Sequence, residues 1–345
     1  MGSGEFYYFG LIDTLQKYTK KLLELEITVD NIDCDFNVDG LPIQKSTRKS
    51  FWPILCRINN NNFKEYVFPV AIFCGTSKPP LHNYLTEFVK ELSNILRVGF
   101  VIDGKYINVT VRSFCCDMPA RCFIKNVKGH NAYYGCDKCI AKGEMINKRM
   151  TYLELSAPLR TDGHFDKKLN EQYHKGDTPL SELKVGLITS FPVDYMHCIC
   201  LGVMRKLLFL WRDGSRIYRI SGDNRVALDN NLNLMQNCWP LEFNRKPRTL
   251  IDLERWKATE LRQFLLYLGP VLLMNVLPKR FYCHFLLLNF AIAILLNINL
   301  NKHYNQYANE LLKQFELVKW LHFIRYSCVR WHKFVSFLLL IAYCL

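Results

Sequence analysis

No run of apolar residues in this chain reaches the length of about 20 that a membrane-spanning helix requires. The best candidates, residues 285–296 and 334–345, are short, and Asn289 interrupts the first. The N-terminus also lacks the basic stretch followed by an apolar stretch that marks a secretory signal. We therefore expect no membrane segment, an intracellular location, and a buried core helix at residues 285–296.

Acidic residues are scarce relative to basic ones, with 31 Asp and Glu against 45 Lys and Arg, and the formal net charge is +14. Such a surplus favours polyanionic partners, nucleic acid first and an anionic membrane surface second, while a basic protein with no such partner is the alternative. A hydrophobic content of 50% excludes a disordered chain. Disulfides are not expected among the 14 cysteines of an intracellular protein, so clustered cysteines indicate metal binding.

Alternating and helical patterns follow one another in an informative order. Alternation predicts three strands, at residues 33–39, 51–58 and 66–74, and helical spacing follows at residues 81–96. A fourth strand is predicted at residues 106–116. Three strands, a helix and a fourth strand is the order of elements in the ribonuclease-H-like fold. Asp39 ends the first predicted strand and Asp117 follows the fourth, and these are the two places that catalytic carboxylates occupy in that fold. From residue 201 the pattern is helical.

Asp39 and Asp117 are candidate metal ligands for phosphodiester chemistry. Such chemistry needs several carboxylates, because two divalent ions about 4 Å apart must be held over one phosphate. A structural interpretation exists for each residue. Asp117 precedes Met-Pro and fits a helix N-cap, and Asp39 precedes Gly40 and fits a turn.

Cys136 and Cys139 form a C-x-x-C pair next to Gly135, which is typical of a zinc knuckle because a tight turn brings both thiolates to one tetrahedral ion. Two further ligands are needed, and the candidates are His130, His164, His174 and His197. We predict His130 and His174 in this role. A redox pair and two buried free cysteines are the alternatives.

Two acidic positions in the second half of the chain are further candidates. Asp194 and His197 are three residues apart, so on a helix they share a face and can ligate a metal together or form an Asp–His hydrogen bond. Glu260 lies near the start of an apolar helix and is the best-placed third carboxylate, although a glutamate there ordinarily serves the helix dipole.

Five stretches resemble, in this order, the transposase of CACTA-type (En/Spm) DNA transposons in the form found in animal genomes. The stretches are NVDGLPIQKSTRKSFWPIL (Asn37–Leu55), DMPARCFIKNVKGHNAYYGCDKC (Asp117–Cys139), YHKGDTPL (Tyr173–Leu180), FPVDYMHCICLGVMRKLLFLW (Phe191–Trp211) and WKATELRQFLLYLGPVLL (Trp256–Leu273). The resemblance covers most of residues 5–316, and its long ordered run is what makes it specific.

The resemblance implies an α/β protein: a ribonuclease-H-like mixed sheet core with a mainly α-helical insertion. It further implies a DDE triad, matched here by Asp39, Asp117 and Glu260, and a D-x-x-H signature matched by Asp194 and His197. Members use Mg²⁺ or Mn²⁺ to cleave transposon ends and join the freed 3′-hydroxyl to target DNA. Double-stranded DNA, a homo-oligomer, a nuclear location and Zn²⁺ at the C-x-x-C pair are the corresponding expectations.

The expected organisation has four parts. They are a helical lead-in (residues 1–30), a catalytic core with the embedded zinc knuckle (31–200), a helical region (201–317) and a hydrophobic tail (318–345). The resemblance stops near Val318 and the tail contains no acidic residue, so we expect truncation or a frameshift in a decayed element. The alternative function is therefore a catalytically dead DNA- or protein-binding relic that retains the fold and the zinc site.

Basic residues are dispersed along the chain rather than gathered in one recognition helix, which predicts contacts with the DNA backbone more than base reading. The residues considered for this role are Lys45, Arg48, Lys49, Lys125, Lys128, Arg205 and Lys206.

Binding of DNA should weaken steeply with salt. Raising NaCl from about 50 to 200 mM should lower the association constant about tenfold for every two phosphates contacted, because counterions are released on binding. Fluorescence anisotropy with a labelled duplex measures the effect. An association constant that stays the same across this range would contradict a role for the charge surplus.

Overall fold

Two compact units divide the chain in the computed structural model, which describes residues 4–44, 48–59, 66–146, 148–154 and 156–317. Unit 1 comprises Met1–Lys142 and Pro158–Pro192, and unit 2 comprises Gly143–Ala157 and the chain from Val193 onward. The boundary was expected at residue 200, whereas unit 1 ends at residue 192. Residues 143–157, which were expected in the catalytic core, belong to unit 2. The predicted tail (318–345) and Lys45 lie outside the described residues.

Unit 1 contains a seven-stranded mixed sheet with the strand order β1-β5-β4-β2-β7-β6, in which β3 pairs with β4. Its strands are β1 (Gly4–Tyr8), β2 (Asn31–Val38), β3 (Leu41–Pro42), β4 (Ser50–Asn59), β5 (Val67–Gly75), β6 (Phe100–Ile102) and β7 (Lys105–Cys116). Its α-helices are α1 (Ile12–Glu24), α2 (Leu81–Val98), α3 (Met118–Ile124) and α4 (Asp162–Asp166), with short 3₁₀ turns at Glu171–Tyr173 and Pro179–Leu183.

The four strands and the helix predicted from alternation and helical spacing are confirmed as β2, β4, β5, β7 and α2. Among the described strands, β2 pairs with β7 in parallel, while the other pairs of this sheet are antiparallel. A parallel pair needs a long crossover connection, and here that connection contains the β4–β5 hairpin and α2.

The expectation of a helical lead-in at residues 1–30 is wrong in part. Gly4–Tyr8 is a strand that pairs with β5, with Phe6 opposite Phe73. The aromatic residues in GEFYY favour an extended conformation, and this five-residue segment is too short to show a clear period on its own. The helical part of the lead-in is α1.

Aromatic side chains fill the interior of unit 1. The Phe36 ring on β2 lies 5.0 Å from the Phe88 ring on α2 and 5.4 Å from the Phe114 ring on β7. Phe114 in turn stacks on Phe191 at 4.8 Å between ring centroids. These rings are almost fully buried, so they fix which face of β2 and β7 points inward.

Glu91 on α2 holds the start of α1. Its carboxylate accepts hydrogen bonds from the backbone N–H groups of Leu11 at 2.8 Å and Ile12 at 2.9 Å, and from the Tyr8 hydroxyl. Burial and then this hydrogen bond raise the pKa of Tyr8 above its ordinary value. A single carboxylate therefore satisfies N-terminal donors that a helix otherwise leaves unpaired.

Unit 2 is mainly helical, as the periodicity predicts. Its α-helices are α5 (Arg205–Asp213), α6 (Gly222–Met235), α7 (Ala258–Gln263), α8 (Gly269–Leu272), α9 (Lys279–Leu296) and α10 (Ile298–Leu317), with π-helical turns at Met196–Met204 and Phe264–Leu268 and 3₁₀ turns at Gln236–Cys238 and Leu250–Arg255. A small hairpin joins β8 (Glu144–Ile146) to β9 (Arg149–Thr151).

Helix α9 is the one described helix that is long and apolar enough to cross a membrane by length and composition. Two of its polar side chains form hydrogen bonds inside the protein. His284 Nε2 lies 2.8 Å from the Phe315 carbonyl oxygen, and Asn289 donates to the Leu265 carbonyl at 2.7 Å. Burial lowers the pKa of His284 to about 4. These contacts agree with the expected core helix.

Replacing Glu91 with Ala should destabilise α1 locally by about 1.5–3 kcal/mol, because three hydrogen bonds to a charged acceptor are lost. Amide hydrogen exchange should accelerate in residues 12–24. Glu87→Ala, an exposed position one turn earlier on α2, is the matched control and should leave exchange in α1 unchanged. Equal exchange in the two variants would show that Glu91 does not hold α1.

Candidate metal centre

Asp39 and Asp117 follow the last paired residues of two neighbouring parallel strands. In the β2–β7 register Val38 is opposite Cys116, and each aspartate comes one residue later. Adjacent strands lie about 4.8 Å apart. The two aspartates therefore follow the ends of neighbouring strands, while their role as catalytic metal ligands stays a prediction.

The local contacts of both aspartates match the structural alternatives drawn from the sequence. Asp117 is the N-cap of α3, and its Oδ1 accepts the Ala120 N–H at 2.7 Å. Asp39 Oδ1 accepts the Gly40 N–H at 2.7 Å. Capping and metal ligation are compatible, because a carboxylate has two oxygens with several lone pairs.

The C-x-x-C pair is brought together as expected. Cys136 Sγ and Cys139 Sγ are 3.2 Å apart and both side chains are buried. No disulfide joins any of the cysteines in the described residues. His130 is exposed, and His174 packs against the Phe165 ring at 4.8 Å. Burial, followed by the charge of Arg160, lowers the pKa of His174.

A complete metal-ligand set is not assembled within the described residues, where no group of three or more His, Cys, Asp or Glu side chains is positioned to hold an ion. The zinc ligands Cys136, Cys139, His130 and His174 therefore remain predictions, as do the magnesium ligands.

Asp137, between the two cysteines, is the centre of a buried ion cluster that sequence reasoning missed. Its carboxylate lies 2.7 Å from Lys125 Nζ and 3.0 Å from Arg121 Nη1, and it accepts the Tyr173 hydroxyl at 2.7 Å. Lys138 Nζ is 3.7 Å away. The four-residue spacing of Arg121 on α3 and Lys125 at its C-terminal end was the available signal.

The charged groups of this cluster shift one another's pKa values. Burial acts to raise the pKa of Asp137, but the Lys125 and Arg121 cations outweigh it and hold that pKa well below its usual range. Burial lowers the pKa of Lys138 to about 7. Lys138 Nζ also donates to the carbonyl oxygens of Ile188 at 2.8 Å and Phe191 at 2.5 Å. The expectation that Lys125 contacts DNA is wrong, because its side chain is 0% exposed.

Unit 2 contains the remaining predicted site residues. His197 Nδ1 lies 2.5 Å from Asp194 Oδ2, so the predicted Asp–His hydrogen bond is present. Burial acts to raise the pKa of Asp194, but the hydrogen bond and charge of His197 outweigh it and hold the pKa below its ordinary value. Asp194 also accepts the Met196 N–H at 2.8 Å, which places it at the start of the helical segment.

Glu260 is engaged by its own unit. Arg248 donates to both Glu260 oxygens at 2.7 Å, and the Lys257 N–H donates to Oε2 at 2.8 Å, forming a capping box at the start of α7. The side chain is 3% exposed. The helix-terminus role named as the alternative is therefore present, and the catalytic role of Glu260 stays a prediction.

Comparison with known proteins adds no relative. No model of a known protein family matches the chain, and no curated protein matches it significantly.

Replacing Asp137 with Asn should destabilise the protein by about 3–5 kcal/mol near neutral pH, because it leaves buried cations without their carboxylate. The folded-state pKa of Asp137 lies below its ordinary 3.8, so this stabilisation is present above that value and is lost as the pH falls further. Urea unfolding of wild type and Asp137→Asn between pH 7 and pH 3 measures the difference.

The difference should shrink below the ordinary carboxyl pKa, where the unfolded-state carboxyl takes up a proton. Asp166→Asn, an exposed position in unit 1, is the control and should change stability by less than about 0.5 kcal/mol. A difference that did not shrink between about pH 4 and pH 3 would contradict this account of the cluster.

Proposed function

We propose that the chain is a transposase-derived protein of the DDE type, which binds DNA and performs metal-dependent strand cleavage and transfer at Asp39 and Asp117. One observation supports this most directly: the parallel β2–β7 register that ends both strands at an aspartate. A single-residue change in register would send the following side chain to the other face of the sheet, so the juxtaposition is specific.

A ribonuclease-H-like core is part of the proposal. The mixed sheet of unit 1, with three strands, a helix and a fourth strand parallel to the first of them, supports it. The extra edge strands β1 and β6 are additions to this order. The helices of unit 2 follow in the chain where the helical insertion is expected.

Mg²⁺ or Mn²⁺ fits the proposed centre by ligand chemistry, because these ions prefer oxygen ligands such as carboxylates. Asp39 and Asp117 would hold the ions, which when bound activate the attacking oxygen and stabilise the leaving oxygen of a phosphodiester. The part of the two aspartates is to supply negative charge and to fix the ion positions at the end of a rigid sheet.

A structural Zn²⁺ at Cys136 and Cys139 is the second metal of the proposal. Two buried sulfur atoms 3.2 Å apart form a suitable pair for a soft ion, and His130 and His174 are the proposed further ligands. Within the helical unit, Asp194 and His197 are proposed to ligate a metal together, or Asp194 to orient the His197 imidazole. Glu260 is the proposed third carboxylate of the DDE triad.

Double-stranded DNA, as transposon end and as target, is the proposed partner, together with further copies of the chain, and the nucleus is the proposed location. The net charge of +14 supports a polyanionic partner.

A catalytically inactive DNA-binding relic is the second candidate. The contacts of Glu260 favour it, because both oxygens of the proposed third carboxylate already bind Arg248.

Nicking of a supercoiled plasmid in Mg²⁺ or Mn²⁺ distinguishes the two candidates. Asp39→Asn and Asp117→Asn should each lower the rate by a factor of about 100 or more, because a neutral amide holds a divalent ion far less well. Asparagine keeps the N-cap of α3 and the Asp39 turn, so folding should be retained.

Asp103→Asn provides the matched control. Asp103 is exposed and has a positive φ of 48° in the β6–β7 turn, a conformation that asparagine also adopts readily. The control should nick at the wild-type rate. Equal nicking by Asp117→Asn and wild type would rule out the catalytic proposal and leave the relic.

A further inference from the structure

A basic depression borders the loop between α3 and the C-x-x-C pair. It consists of two adjoining hollows of about 510 and 640 Å³, which share Lys128 and Ala132 in their walls. We call it the lysine groove; its four lysines are Lys78, Lys128, Lys142 and Lys175, and its lining also includes the ring of Tyr133.

The lysine groove has a strong positive charge of its own. None of the described residues that line it is acidic. Across the described part of the chain, no carboxylate forms an ion pair with any of the four groove lysines. Like charges gathered in a concave surface focus the field and attract an anion with several charges. Phosphate groups are the ligands that such ammonium groups suit.

The backbone positions of two groove lysines, Lys128 and Lys175, are fixed by hydrogen bonds. Val127 and His174 form a β-bridge, and Lys128 and Lys175 each follow one of these residues. The Lys128 N–H donates to the Tyr173 carbonyl at 2.8 Å, and the Lys175 N–H donates to the Asn126 carbonyl at 2.9 Å. Groups held in place in the free protein lose less entropy when they bind a ligand.

An aromatic ring is exposed in the same groove. Tyr133 is 53% exposed, and it lies in a turn closed by the Gly135 N–H to Ala132 carbonyl bond at 3.1 Å. Lys128 and Lys142 line the hollow that contains it. Cations near an accessible ring are the combination that binds single-stranded nucleic acid, with phosphates on the cations and an unpaired base on the ring.

We propose that the lysine groove binds a single strand of DNA, with its phosphates at Lys128 and Lys175 and an unpaired base stacked on Tyr133. Met118 and Pro119, which directly follow Asp117, also line the groove. The strand bound there would therefore run beside the end of β7. This inference deepens the proposed function, and a catalytic purpose for the groove rests on that proposal. Binding of the strand itself needs neither a metal ion nor Asp39 and Asp117.

Anisotropy of a labelled oligo(dT) of about 20 nucleotides, measured in EDTA with the full chain, tests the groove. Lys128→Glu/Lys175→Glu should weaken binding about tenfold or more and reduce the slope of log K against log salt by about 0.7 per lysine. Lys20→Glu/Lys21→Glu on the exposed face of α1 makes the same change in net charge. This control should weaken binding less than about threefold.

Variants of Tyr133 distinguish binding of single-stranded DNA from binding of duplex DNA. Tyr133→Ala should weaken oligo(dT) binding about tenfold and leave binding of a duplex of equal length within about twofold, because paired bases present no free face. Tyr133→Phe should retain the wild-type affinity for oligo(dT). Equal losses in the Lys128/Lys175 and Lys20/Lys21 variants, or in oligo(dT) and duplex for Tyr133→Ala, would overturn the inference.

The outcomes also separate this inference from the proposed function. Asp39→Asn and Asp117→Asn should bind oligo(dT) as wild type does. If they nick DNA normally and the groove variants still lose binding, the catalytic proposal fails and the groove remains. If nicking depends on the aspartates and the groove variants bind normally, the groove inference fails alone.

Discussion

The parallel pairing of β2 with β7 is the constraint on which the candidate centre depends. Buried Phe36 and Phe114 are opposite each other in the pairing of these neighbouring strands, and their rings stack side by side on the core face of the sheet. A shift of one residue would turn such side chains outward. The hydrophobic effect therefore sets the register, and the register sets which residues end the strands together. Asp39 and Asp117 inherit their positions from packing that involves neither of them.

The buried Asp137 cluster supplies the second level of order. Arg121 belongs to α3, whose first residue follows Asp117, and Lys125 directly follows that helix, while Asp137 lies inside the C-x-x-C pair. One carboxylate thus ties the helix that starts at the candidate magnesium ligand to the turn that carries the candidate zinc ligands. Because a buried charge is costly without its partners, the segment from α3 to Cys139 is held as one body.

Patterns in the sequence were sufficient for the central strands, α2 and the later helices, because each has enough residues to show its period. They were insufficient for β1, whose conformation depends on pairing with β5, a partner far along the chain. Asp137, Lys125 and Lys138 resemble surface residues in a polar segment, and only the fold shows that they neutralise one another. The assignment of residues 143–157 to unit 2 could not be predicted from the sequence either, because it arises from contacts between distant segments.

The division of the chain between its units has a consequence for biosynthesis. The polypeptide passes from unit 1 to unit 2 after Lys142, returns at Pro158 and leaves again after Pro192. Nascent unit 1 cannot close until Phe191, which stacks on Phe114, has emerged from the ribosome. By that time the β8–β9 hairpin has already been synthesised, but the helices of unit 2 against which it belongs have not.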